Sequence, residues 1–261
     1  MYDTMPGTRL ALTWLERHQR AAWAALLAYG PDAVPVGTSA IALLGVQGLP
    51  MRITPEAALP NGRSAISRDG LQLRQFDAGM VCVHVAGRLV ASPEWALAQA
   101  VPELDRDHAV AVMDSSQNLG LLDADGLQRA HDLARHRRGV DRTHGWWAQS
   151  DARAESALET FGRLDCVDGA VPPDDLQVPI TTIDGRFLGR GDMGWRQRNG
   201  RWLIAELDGR EVHELPTALL HDRHRQNGFL IDGDADVLRF TYRDLRPRGA
   251  IARTVLRRLA G

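Results

Sequence analysis

With 261 residues, 44% of them hydrophobic, the chain is long enough to bury a full core, and two compact units are expected. A formal net charge of −2 excludes a globally basic nucleic-acid or membrane binder, so a polyanionic partner must be met by a local group of arginines. All 31 basic side chains counted as Lys or Arg are arginine, which excludes a catalytic lysine and leaves proton transfer to His, Asp, Arg or water. The two cysteines, Cys82 and Cys166, lie far apart and form no Cys-x-x-Cys pair, so neither a zinc knuckle nor a redox motif is supported. Met1 to Arg9 lacks the basic flank and apolar run of a signal peptide, and no apolar stretch reaches bilayer length without charge. The expected location is cytoplasmic, with no membrane partner.

From Arg9 to Tyr29 the apolar residues Leu10, Trp14, Leu15, Ala22, Trp23, Leu26 and Leu27 recur at helical spacing, and Gly30-Pro31 stops the helix. Thr38 or Ser39 caps a second short helix through Leu44, ended by Gly45. Met51 to Ile53 and Met80 to Val85 read as strands. This helix pair followed by strands predicts a winged-helix-like unit. Ser92-Pro93 opens a further helix, with Ser92 as N-cap and Pro93 in the first turn. Asp105 to Leu119 and Asp123 to Arg137 follow as helices, and the latter ends in the basic run Arg135-His136-Arg137-Arg138, read as a solvated helix end favoured by the macrodipole in preference to a phosphate-binding role.

Residues 139–154 form a joint, and the boundary is expected near Asp151. Residues 1–150 are then a winged-helix-like and helical N-terminal region, and residues 151–261 an α/β unit. The order beyond the boundary is a helix from Ala154, strands Leu176 to Thr182, Arg186 to Asp192 and Arg201 to Leu207, a helix from Pro216 to Gln226, a strand from Val237 to Phe240 and a helix from Ala250 to Leu259.

Two carboxylates carry the functional reading of this unit. Asp192 ends one expected strand and Glu206 nearly ends the next, with the polar turn Arg196-Gln197-Arg198-Asn199-Gly200 between them. An antiparallel hairpin sets both at the same end of adjacent strands. Paired carboxylates suit a hard divalent cation, which takes oxygen ligands, keeps several waters and completes its shell with substrate phosphate. The opposing expectation is that Asp192 is a turn carboxylate and Glu206 pairs with a nearby arginine.

Glu159 in Ser-Ala-Leu-Glu-Thr, Asp192, Glu206-Leu207-Asp208-Gly209, His213, Asp222-Arg223 and Val237-Leu238-Arg239-Phe240-Thr241 come in an order that resembles a very-short-patch-repair-type endonuclease domain. That group belongs to the PD-(D/E)xK nuclease superfamily, and the resemblance covers about the last two-fifths of the chain. It implies a restriction-endonuclease-like mixed sheet flanked by helices, with metal-binding carboxylates on neighbouring strands and Mg²⁺ or Mn²⁺ as cofactor. The implied activity is metal-dependent hydrolysis of DNA phosphodiester bonds. More loosely, the N-terminal half, including Gly87-Arg88-Leu89-Val90-Ala91-Ser92-Pro93, resembles abortive-infection-type antitoxins. The alternative function is therefore a non-catalytic DNA-binding regulator or toxin–antitoxin component on a degenerate nuclease scaffold. The partners implied are DNA and either a second copy of the chain or a toxin.

The resemblance assigns Asp192 and Glu206 as metal ligands. Asp208 stands where the broad superfamily has lysine, although the very-short-patch-like branch departs from that rule; Asp208 is either a further ligand, a base holding water, or the start of an Asp-Gly turn. Glu159 projects from the first helix of the unit toward the metal, or forms a salt bridge to Arg163. His213 leans over the site as a proton carrier or lies on the surface. In His221-Asp222-Arg223-His224-Arg225, one of Arg223 and Arg225 clamps a phosphate while the other meets Asp222 or solvent. Trp195, Trp202 and Phe240 are assigned to the core.

Overall fold

The computed structural model describes residues 12–60, 65–66, 70–182, 184–209 and 235–261. The chain is mixed α/β and divides into two compact units, 1–104 with 122–144, and 105–121 with 145–261. A segment from within the first 150 residues thus packs with the C-terminal unit.

The first unit opens with α1 (Trp14–Tyr29), whose N-cap is Thr13; the expected helix start at Arg9 lies outside the described residues. Thr13 and Glu16 form a capping box that satisfies backbone donors at the helix start. There follow β1 (Val34–Pro35), α2 (Gly37–Leu43), β2 (Glu56–Ala58), β3 (Gln72–Arg74), the hairpin β4 (Cys82–Val85) and β5 (Arg88–Ala91), and α3 (Pro93–Ala100). Strand β2 pairs antiparallel with β1 and parallel with β3. The expected strand at Met51 to Ile53 does not form. Pro50 and Pro55 bracket it and lack the N–H groups a ladder needs, so pairing begins only at Glu56.

Neither Thr38 nor Ser39 is the N-cap of α2, which follows Val36. The buried carboxylate of Glu56 instead accepts from the Thr38 N–H at 2.7 Å and its hydroxyl at 2.9 Å, while Arg74 Nε donates to it at 2.7 Å. Gly37 has φ +50° and any Cβ there would overlap Glu56 Oε1, so glycine is required on two counts. Ser92 precedes α3 as expected, but its hydroxyl donates to Glu94 at 3.1 Å and makes no side-chain cap.

The second unit begins with α4 (Arg106–Asn118), capped by Asp105, while α5 (Ala124–Ala134), capped by Asp123, belongs to the first. The short α6 (His144–Trp147) leads to α7 (Ala157–Asp168), then β6 (Asp175–Thr181), β7 (Phe187–Arg196), β8 (Trp202–Leu207), β9 (Ala235–Phe240) and α8 (Ala250–Ala260). The sheet order is β6-β7-β8-β9, antiparallel at the first two joins and parallel at the last. This helix–strand–strand–strand order and the closing strand and helix follow the sequence reading; the expected helix Pro216 to Gln226 lies outside the described residues.

Alternation along β8 divides the core between the two faces of the sheet. Leu203, Ala205 and Leu207 join Leu158 of α7 and Ile251 and Val255 of α8, whereas Ile204 joins Val178, Ile180 and Ala235. Gly162 lets α7 approach the sheet closely, because a Cβ would overlap a Leu207 methyl. Two buried carboxylates fasten the helices. Asp114 of α4 accepts from Arg163 Nη2 at 2.7 Å, Thr160 Oγ1 at 2.8 Å, Ser150 Oγ at 2.8 Å and the Asp151 N–H at 2.7 Å. Asp165 of α7 accepts from the N–H groups of Gly249 at 2.6 Å and Ala252 at 3.1 Å, occupying donors at the start of α8.

Candidate functional site

Strand β7 runs four residues beyond its expected end, so Asp192 lies inside it and not at its end. The residues Met193-Gly194-Trp195 are strand, and Trp195 is a core residue whose Nε1 donates to the carbonyls of Val171 and Pro172 at 3.1 and 3.0 Å. The turn is Gln197 to Gly200, where Gly200 has φ +82°. The hairpin registers Met193 with Ala205 and Trp195 with Leu203. The pairing stops at Met193 and Ala205, one residue short of Asp192 and Glu206, whose negative charges still act on one another.

The ladder opens at that step. The Leu207 N–H donates to Asp192 Oδ2 at 2.6 Å, so a carboxylate takes the place of a strand carbonyl. The second Asp192 oxygen has no protein partner among the described residues. Burial pushes the Asp192 carboxyl up to about 7; the Leu207 N–H acts against this, and the charges of Glu159, Glu206 and Glu155 add to the rise.

Glu206 is held by the neighbouring parallel strand. The register pairs Glu206 with Arg239, and Arg239 Nη2 donates to Glu206 Oε2 at 2.9 Å. That is the arginine pairing weighed from the sequence; among the described residues Asp192 has no such guanidinium partner.

Glu159 is buried at the start of α7, and its carboxyl is raised, first by burial. The expected bridge to Arg163 does not form, because Arg163 turns to Asp114. Glu159 Oε2 accepts instead from the Glu155 N–H at 2.9 Å and from Gln177 Nε2 at 2.8 Å. Glu155 in turn receives Arg190 at 2.6 Å.

Gln177 was not singled out by sequence reasoning. The register that pairs Leu176 with Met193 and Val178 with Gly191 sets it opposite Asp192, and its φ is +56° within a strand. A left-handed backbone costs a non-glycine residue about 1–2 kcal/mol. The bond to the buried Glu159 offsets part of that cost. No sequence pattern encodes such a residue; only the fold places its amide beside two carboxylates. A shallow pocket is lined by Glu159, Gln177, Asp192, Arg163, Leu176 and Met193.

Asp208 is exposed, just past β8, with its N–H donating to the Phe240 carbonyl at 2.8 Å. His213, Arg223 and Arg225 lie outside the described residues. Among those described, no three His, Cys, Asp or Glu side chains converge to hold a metal ion; the charges of Glu159 and Glu206 are felt at Asp192.

These features define an α/β protein with a carboxylate pair at an opening between strands. No family model matches the chain. Two curated relatives, each described as an uncharacterized protein of Mycobacterium tuberculosis, are 31% identical over 156 residues, which is 60% of this chain and 56% of theirs. The chain therefore spans little more than half the length of the curated relatives it matches. No solved structure matches. No described helix is long and apolar enough to cross a membrane.

Proposed function

We propose that the C-terminal unit is a metal-dependent endonuclease that hydrolyses DNA phosphodiester bonds, with the N-terminal unit as its accessory module. The observation that supports this best is at Asp192: among the described residues one oxygen of its half-buried carboxylate is left without a protein partner, and the charges of Glu159 and Glu206 act on it. An isolated buried carboxylate is costly, and a hard cation relieves that cost.

The donor set fits Mg²⁺ or Mn²⁺, because every available group is a carboxylate or amide oxygen. Asp192 and Glu206 would hold the ion, which lowers the pKa of bound water and stabilises phosphate charge when present. Arg239 orients Glu206, and the Leu207 N–H fixes the rotation of Asp192. Asp208, exposed beside them, is the candidate to hold the attacking water. His213, Arg223 and Arg225 keep their proposed roles as proton carrier and phosphate contacts. A cytoplasmic location, and a second copy or a toxin as partner, belong to the same proposal.

The test is nicking of supercoiled plasmid with and without Mg²⁺ or Mn²⁺. Wild-type protein should nick only with metal, while Asp192→Asn and Glu206→Gln should lose at least about 100-fold in rate with an unchanged circular-dichroism spectrum. Metal-independent nicking, or full activity in both folded variants, overturns the assignment. The Arg239–Glu206 ion pair favours the second reading, a DNA-binding regulator or toxin–antitoxin component on a degenerate scaffold. Binding of DNA without cleavage under every metal condition would select it.

A further inference from the structure

Residues 242–258 hold six arginines and a single carboxylate, Asp244. Asp244 is already occupied, accepting from the Thr241 N–H at 2.7 Å and the Thr241 hydroxyl at 2.9 Å. Arg248 reaches Asp168 at 2.8 Å, and Arg258 reaches Asp236 at 2.7 Å. The remaining four, Arg243, Arg246, Arg253 and Arg257, are exposed and make no ion pair among the described residues.

These four charges fall within fifteen residues of chain. Helix α8 buries Ile251, Ala252 and Val255, which turns Arg253 and Arg257 outward, one helical turn and about 6 Å apart along the axis. Arg253 Nη1 donates to the Arg248 carbonyl at 3.2 Å, so its head folds back over Arg248 and Gly249. Arg243 lies in the 3-10 turn Tyr242–Leu245 that joins β9 to this segment. Tyr242, 47% exposed, stands next to the carboxylate strands: a Cβ on Gly209, one residue past Asp208, would lie 3.7 Å from its ring.

Four guanidiniums with no ion-pair partner among the described residues repel one another on one short segment, and in a chain of net charge −2 they are not a by-product of overall basicity. Such a single-sign strip complements a polyanion whose charges recur at short intervals. We propose that Arg243, Arg246, Arg253 and Arg257 form a track for the phosphate backbone of duplex DNA. This names a DNA-holding surface for the unit proposed above and rests on that reading for its choice of ligand, but binding is measured apart from cleavage.

The experiment is fluorescence anisotropy of a labelled 20-base-pair duplex over a salt series in EDTA. It uses the full chain, the Arg243→Gln/Arg246→Gln and Arg253→Gln/Arg257→Gln doubles, the quadruple variant and Asp192→Asn. Each arginine removed from a phosphate should flatten the slope of log affinity against log salt by about 0.9. The slope should therefore fall by about 2 in each double and by about 3 to 4 in the quadruple, with affinity down at least about 100-fold. Asp192→Asn should keep wild-type affinity while failing to nick plasmid. Thermal melting confirms that the variants are folded, and the exposed positions give no reason for loss.

Wild-type slopes in the folded quadruple variant overturn the track and leave the endonuclease reading standing. Failure of the wild-type chain to bind the duplex overturns the track and DNA as partner together. Tighter binding of a matched RNA duplex overturns the assignment to DNA.

Discussion

Asp192 holds the most consequential charge in the C-terminal unit. Its carboxyl sits at about 7 in the folded protein against an ordinary value of 3.8, and burial is the main cause. The folded state therefore holds the proton more tightly than the unfolded one. The stability this contributes is fully present below about pH 4 and is lost as pH rises through about 7. Glu159, also raised by burial, acts in the same direction. Without divalent metal, Asp192→Asn should match wild type near pH 4, because its amide oxygen can still accept the Leu207 N–H. Above pH 8 it should be the more stable protein by ~1–2 kcal/mol. Urea denaturation at the two pH values reads this directly, and a stability gap that does not change with pH would show that Asp192 is ionised at ordinary carboxylate values.

At the scale of elements, the second unit depends on ion pairs that lock helices from distant parts of the chain. The Asp114 and Arg163 side chains are 1% and 10% exposed, so each charge relies on the other and on the hydroxyls of Thr160 and Ser150. Asp114→Ala strands a buried guanidinium and should cost about 3–5 kcal/mol. Arg163→Met combined with Asp114→Leu should recover most of that loss, since neither charge remains to be desolvated. Equal losses in the single and double variants would show that shape, not charge, governs the joint. This pair also shows where the sequence is silent. Local spacing puts Glu159 four residues from Arg163 and invites a helix salt bridge, but Arg163 answers to a carboxylate 49 residues away. The four strands of this unit were legible from apolar alternation, and the β7–β8 hairpin from the polar turn between them. The length of β7 was not, because Gly194 reads as a turn in isolation and fits a strand only where Val178, Trp202 and Ile204 crowd its missing side chain. Gln177 was invisible for a related reason: its left-handed backbone is imposed by the sheet and by Glu159, and nothing in its neighbours announces it.

For the whole molecule, proton and metal should compete for the same carboxylate, and this links the site to global stability. A ligand that binds only the folded chain stabilises it by an amount set by concentration over dissociation constant, about 2.7 kcal/mol at a hundredfold excess. For a chain of this size, that corresponds to a rise in melting temperature of roughly 5–10 °C. At pH 8, where Asp192 is ionised, Mn²⁺ should produce this rise in the wild-type protein. At pH 5 the proton occupies Asp192 and the rise should shrink toward zero, and Asp192→Asn should show little at either pH. The opposite signs make the comparison decisive: raising pH weakens the metal-free chain through Asp192 and strengthens its response to metal through the same group. A Mn²⁺ response of equal size in wild type and Asp192→Asn would place the ion elsewhere, and no response at pH 8 would remove the metal from the proposed function.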